Sequence, residues 1–187
     1  MNVLGITLWH SAEDRSTELC RLTGSPDGFA LEGLVLVPID DRPGRVEYRV
    51  ETDPSWRTRR ASIHLTSPSS SRDLLLERDE GGRWTLDGRP EHRLEGCIDV
   101  DLRITPATNT LPIRRLRLGV GDVAELRAAW VGFPEFEVDV SEQTYERTGE
   151  NGFVYRSGDF EAQLVVDDVG MVLRYGDGIW ASLAHGI

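Results

Sequence analysis

The sequence predicts an all-β fold in which many short antiparallel strands curl into a barrel-like sheet with little helix. Short runs of alternating apolar and polar residues recur along the whole chain, separated by turn-forming residues. No window of about 12 or more residues shows the helical period of roughly 3.6. The runs amount to about eleven strands, and a single sheet of that size curls because its strands twist.

The alternation of apolar and polar residues predicts the individual strands along the chain. An apolar run at 33–38 and a turn at 40–44 come first. Val46, Tyr48 and Val50 then alternate with charged residues, which predicts a hairpin with one polar face. Clusters of Gly, Ser, Asp and Pro separate the later runs, which lie at residues 60–66, 74–78, 83–86, 97–104, 136–140, 145–147, 153–156, 163–166 and 171–175.

Three segments are less regular. Residues 126–131 contain helix-forming Ala, Leu and Arg, but glycine-containing flanks leave only about three turns, so a strand is predicted. Residues 11–17 are long enough for one or two helical turns. Residues 102–116 carry Pro106 and Pro112, which interrupt a strand ladder. We therefore predict an ordered loop there, placed to close one mouth of the curled sheet.

The composition predicts one acidic globular domain spanning residues 1–187. Apolar residues make up 39% of the chain, charged residues make up 28%, and the formal net charge is −11. Because such a field repels nucleic acid and anionic membrane surfaces, neither is expected as a partner. No apolar run approaches the ~20 residues of a membrane helix. The first residues lack the basic and apolar regions of a secretory signal, so a cytoplasmic location is expected.

Standard catalytic, nucleotide-binding and metal-binding motifs are absent from the sequence, so neither a cofactor nor a metal is expected. The four histidines are scattered without metal-ligand spacing. Cys20 and Cys97 form no C-x-x-C motif and are expected to be reduced and buried. The sequence leaves the oligomeric state open.

Two clusters carry residue types that suit a binding site. Asp99 and Asp101 share one face of a predicted strand, with Cα atoms about 6–7 Å apart. They could act as acid and base, or they could hold arginines in place. Trp56 lies beside Arg57 and Arg59. This group could offer an aromatic platform and guanidinium forks to sugar or phosphate groups, or it could be a core tryptophan whose arginines pair with acids.

Several stretches resemble the bacterial putative glycolipid-binding family, formerly a family of unknown function, in both order and spacing. The Asn-Thr-Leu-Pro-Ile-Arg-Arg stretch at 109–115 is a specific one. The resemblance implies a long, curved antiparallel sheet that forms a partly open barrel, similar in fold to bacterial lipoprotein-localisation factors. The resembling stretches span almost the whole chain and lie at residues 56–60, 82–90, 94–102, 105–116, 129–131 and 145–147.

The resemblance implies a protein that holds a lipid or glycolipid on the concave side of the sheet, with apolar residues around the acyl chains. The head group would meet polar residues at the rim, for which the candidates are Trp56, Arg57, Arg59, Asp99, Asp101 and Asn109. One alternative is a hydrolase-like enzyme that acts on sugar or phosphate esters with Asp99 or Asp101 and Arg57. Another is a non-enzymatic structural or interaction domain with a filled core. The volume and lining of the space inside the sheet distinguish these hypotheses.

Overall fold

A computed structural model describes residues 1–187 and contains one curved sheet of fifteen strands with a single short α-helix. The helix, α1, spans Thr110–Leu116. The strands are β1 (Asn2–Ser11), β2 (Ser16–Ser25), β3 (Gly28–Ile39), β4 (Arg42–Thr52), β5 (Thr58–Thr66), β6 (Ser71–Arg78), β7 (Trp84–Leu86), β8 (Arg89–Pro90), β9 (Asp99–Leu102), β10 (Val123–Val131), β11 (Val138–Arg147), β12 (Gly152–Ser157), β13 (Phe160–Val166), β14 (Val172–Tyr175) and β15 (Trp180–Gly186).

The strand order shows two meanders joined in the middle of the sheet. Strands β8 to β1 follow one another across one half, and β15 to β9 follow across the other, so that β1 pairs with β15 at the centre. All neighbours are antiparallel except β9 and β10, which are parallel. The sheet is not closed into a barrel, since β8 and β9 remain its edges. The edge strand β9 nevertheless reaches β5, because the Val100 amide donates to Thr58 Oγ1 over 3.1 Å.

The predicted all-β class, with about eleven or more strands and little helix, is confirmed, and the sheet has fifteen strands. Alternation identified strands whose inward residues are apolar, such as β4. The strands β1 and β2 escaped detection because several of their inward residues are polar or charged, including Thr7, Ser11 and Glu18. The expected helical turns at 11–17 are instead the ends of β1 and β2 and the turn between them. The predicted strand at 126–131 is present as part of β10.

The predicted loop at 102–116 was wrong for most of its length. Residues 107–109 form a 3₁₀ turn that leads directly into α1. Proline does not prevent this helix because Pro112 lies in its first turn, where a backbone N–H has no intrahelical acceptor to lose. Helix α1 ends at Arg117, which adopts a left-handed conformation with φ of 51°.

This segment of the chain packs on the inner face of the sheet. Ala107, Leu111 and Ile113 are buried in one apolar cluster of 36 residues that includes side chains from both halves of the sheet. Thr110 Oγ1 also donates to the Gly170 carbonyl over 2.9 Å, which ties the start of α1 to the loop before β14. The sheet is therefore wrapped around α1, and the helix replaces the second sheet of a sandwich. No helix of the structure combines the length and apolar character needed to cross a bilayer.

The packing of α1 predicts that Leu111→Ala destabilises the protein by about 2–5 kcal/mol, because it leaves a cavity at the centre of the core. Leu36→Ala makes the same chemical change on the outer face, where Leu36 is 55% exposed, and should cost about 0.5 kcal/mol or less. Urea unfolding followed by tryptophan fluorescence measures both. Equal losses in the two variants would contradict the assignment of α1 as the core of the fold.

Candidate ligand site on the inner face

A cavity of about 710 Å³ remains where α1 does not cover the inner face. It lies between the segment 101–109 and strands β10 to β15, and the turn between β1 and β2 borders it. The cavity is open to solvent, and its wall combines aromatic, aliphatic, hydroxyl and carboxylate side chains. A volume of this size is typical of pockets that bury a small organic ligand.

One wall of the cavity is aromatic. Its rings come from successive strands of the sheet, so the alternation of each strand directs them to the same face. The Phe160 and Tyr175 rings are nearly parallel, with centroids 6.1 Å apart, and the Tyr155 ring lies 6.2 Å from that of Tyr175. Trp130 and Trp180 extend the wall on either side. Such a surface fits the apolar face of a sugar ring or the first part of an alkyl chain.

A polar part of the wall carries Asp101 and Asn109 in fixed orientations. The Asp101 carboxylate accepts hydrogen bonds from Thr108 Oγ1 over 3.0 Å and from Gln143 Nε2 over 2.7 Å. Burial raises the pKa of Asp101 above its ordinary value. Asn109 Oδ1 accepts a hydrogen bond of 2.7 Å from the Tyr145 hydroxyl. Because neighbours hold both side chains, they can present oxygen atoms to a ligand without first becoming ordered.

Asp99 lies on the same strand face but has another partner. Arg115 from α1 reaches it with Nη2 2.6 Å from Oδ2 and Nε 3.1 Å from Oδ1, a two-point ion pair. The Asp99 side chain is buried and that of Arg115 is partly buried. Burial raises the pKa of Asp99, although the Arg115 guanidinium opposes that shift. The pair fixes α1 against β9. Asp99 is therefore engaged by the protein itself and does not line the cavity.

A buried carboxyl group lies beneath the segment that borders the cavity. Glu18 on β2 is fully buried, and its Oε1 accepts hydrogen bonds from the Tyr48 hydroxyl and from Thr105 Oγ1, the latter over 2.8 Å. Its Oε2 has no partner. Burial raises the pKa of Glu18 to about 8, although these hydrogen bonds oppose the shift. Since Thr105 also lines the cavity, Glu18 is the anchor of that wall.

A glycine makes this contact possible. Gly33 lies between Cys20 and Tyr48 in register across β2, β3 and β4. A Cβ atom at Gly33 would lie 2.2 Å from the Tyr48 ring. The ring therefore lies flat on the Gly33 backbone, and this position directs its hydroxyl to Glu18.

The remaining predicted site residues lie elsewhere. Trp56 is buried, with its ring stacked on Phe29 at 3.9 Å between centroids and the Arg114 guanidinium 5.4 Å from its centre. Arg57 is exposed in the turn before β5, where its amide donates to Asp53 Oδ1. Arg59 lines a separate cleft among charged side chains. The structure thus brings together Asp101 and Asn109, and it places Trp56, Arg57, Arg59 and Asp99 outside the cavity.

The aromatic wall is the part of the cavity that sequence reasoning missed. Tyr155 and Tyr175 lie in predicted strands, yet the alternation of a single strand does not tell which face meets solvent. Phe160 and Trp180 lie just outside the predicted strands. The sequence does show that aromatic residues recur in the last four strands. Whether they share one face of the sheet can be predicted only when the register between the strands is known.

Comparisons with known proteins agree on the fold. A family model described as "Putative glycolipid-binding" matches residues 6–180, which extend from β1 to the first residue of β15. A crystal structure of a DUF1089 family protein from Pseudomonas aeruginosa is similar, with a TM-score of 0.78 and 33% sequence identity. The similarity covers 87% of this chain and 90% of that chain. No curated protein sequence matches the chain.

The buried carboxyl predicts that stability falls as pH rises. The pKa of Glu18 increases from its ordinary value of 4.5 to about 8 on folding, so the folded state binds this proton more tightly than the unfolded state does. This stabilisation of the folded state is complete below pH 4.5. It is lost as the pH rises to about 8, at about 1.4 kcal/mol per pH unit. Glu18→Gln should make this slope shallower by the contribution of one proton, and buried Asp99 and Asp101, whose pKa values are also raised, should account for what remains. Glu80→Gln on an exposed turn should leave the slope unchanged. Urea unfolding at several pH values in this window measures the slope, and an unchanged slope in Glu18→Gln would contradict the assignment.

Proposed function

The chain belongs to the putative glycolipid-binding family, and on that premise we propose that it binds a glycolipid or a related amphiphile in the cavity on the inner face. The observation that carries this proposal is that the cavity wall is aromatic in one part and polar in another. Tyr155, Phe160 and Tyr175 form an aromatic surface, and Asp101 and Asn109 face the same space with fixed polar groups. A ligand that is apolar at one end and hydroxylated at the other can contact both the aromatic surface and the fixed polar groups.

The placement of α1 sets how much of the amphiphile enters. Leu111 and Ile113 occupy the inner face of the sheet, so little of that face is left for an extended acyl chain. We therefore assign the cavity to the head group and the first part of the chain, with the rest of the chain leaving through the open mouth. This differs from a carrier in which acyl chains cover the whole concave surface.

The proposed site does not have the arrangement that the enzyme hypothesis requires. That hypothesis needs both carboxylates and Arg57 to converge on one cleft. Asp101 lines the cavity, but Asp99 is paired with Arg115, and Arg57 lies in an exposed turn outside it.

Binding of dodecyl maltoside below its micellar concentration tests the proposal. Delipidated protein should bind it with a change in tryptophan fluorescence, because Trp130 and Trp180 line the cavity. Phe160→Ser removes part of the aromatic wall and should weaken binding about thirtyfold, since burying a phenylalanine contributes ~2 kcal/mol.

The matched control is Leu183→Ser, which makes a similar change on an exposed β15 residue outside the cavity. It should leave the affinity for dodecyl maltoside unchanged. Absence of any binding, or an equal loss of affinity in the two variants, would overturn the proposed site.

A further inference from the structure

The charged side chains around the cavity are nearly all acidic. Glu13 and Asp14 in the turn between β1 and β2, Asp101 on β9 and Glu142 on β11 all line it. Glu13 and Glu142 form no ion pair with any basic side chain. The mouth therefore has an excess of negative charge, which adds to the net charge of −11 of the whole chain.

The groups that usually bind anions are scarce or already engaged here. Arg103 is the only basic residue among those lining the cavity, and its Nη1 lies 3.6 Å from Asp14 Oδ1. The 3₁₀ turn at 107–109 begins at the cavity, but its first amide, that of Ala107, donates to Thr105 Oγ1 over 3.0 Å. A phosphate or sulfate would have to enter without a free guanidinium and against several carboxylates.

The same lining suits hydroxyl groups. Each Asp101 oxygen accepts one hydrogen bond from the protein, and a carboxylate has about four acceptor positions, so lone pairs remain for a ligand. The Ser141 and Ser157 hydroxyls, 2.9 Å apart, also line the cavity and can both donate and accept. Beside them the stacked Phe160 and Tyr175 rings offer a flat apolar surface for the C–H face of a sugar ring.

We propose that the cavity selects amphiphiles by head-group charge, accepting an uncharged polyhydroxylated sugar and excluding a phosphate or sulfate ester on a chain of the same length. This inference rests on the proposed function and specifies its ligand class. The selection resides in Glu13, Asp14 and Glu142 at the mouth and in Asp101 at the wall. Arg103, held by Asp14, compensates only part of their charge.

Three probes with the same octyl chain separate the contributions to binding. Octyl glucoside carries an uncharged sugar, octyl phosphate an anion, and tetraethylene glycol mono-octyl ether an uncharged head group with few hydroxyls. Each is titrated into the full delipidated chain below its micellar concentration, with tryptophan fluorescence for binding and circular dichroism to confirm that the protein stays folded. We expect octyl glucoside to bind at least about tenfold more tightly than octyl phosphate, a difference of ~1.4 kcal/mol. The ether should lie between the two.

Variants locate the selection at the mouth. Glu13→Gln combined with Glu142→Gln should improve the affinity for octyl phosphate about threefold or more, because two charges near the anion are removed, and should change octyl glucoside little. Glu80→Gln combined with Glu125→Gln removes the same charge outside the cavity and should leave the ratio of affinities unchanged. Raising the ionic strength to about 0.5 M should also narrow the difference between the two octyl ligands.

The outcomes distinguish this inference from the function on which it rests. If octyl phosphate binds as tightly as octyl glucoside, head-group selection is wrong while binding of amphiphiles stands. If the ether equals the glucoside, recognition of hydroxyl groups is wrong. If no octyl ligand binds, the proposed function fails and the inference fails with it.

Discussion

The contact between α1 and the inner face of the sheet is the constraint on which the rest of this structure depends. A sheet of fifteen strands must cover one face with apolar groups, and a chain of 187 residues has no second sheet to supply them. The chain uses the segment between β9 and β10, whose Leu111 and Ile113 enter the common core. The size of the remaining cavity follows from how this segment packs.

Polar contacts fix the position of this segment, residues 105–116, on the inner face of the sheet. Asp99 holds Arg115 at one end of α1, Asp101 holds Thr108 in the preceding turn, and Glu18 holds Thr105 before it. Buried ionic and carboxyl groups contribute little net stability, because removing them from water costs about as much as their interactions return. Their effect is to fix one position of the segment, and that position leaves open the space between residues 101–109 and the last strands.

Sequence reasoning succeeded where burial follows simple alternation and failed where it does not. The inward residues of β4 are apolar and its outward residues are charged, so the strand was evident. In β2, the inward-facing Glu18 interrupts the alternation of apolar and polar residues. Its partners Tyr48 and Thr105 are far away in sequence, so they gave no indication of its burial. The pairing of Asp99 with Arg115 across 16 residues likewise depends on the path of the intervening chain. Two of the six predicted site residues line the cavity, because strand alternation gives the face of a side chain but not its neighbours.

The pairing of β1 with β15 has a consequence for the order in which the molecule folds. Ile6 and Gly186, 180 positions apart in the sequence, are cross-strand neighbours at the centre of the sheet. Apart from the parallel pair β9–β10, each half consists of local hairpins that can form early, since closing a short loop costs little entropy. Pairing of β1 with β15 requires the two ends of the chain to meet, so this pairing is the folding step of greatest entropic cost. Folding kinetics should therefore be governed by the joining of two preformed halves, with the rate set by topology more than by the strength of any single contact.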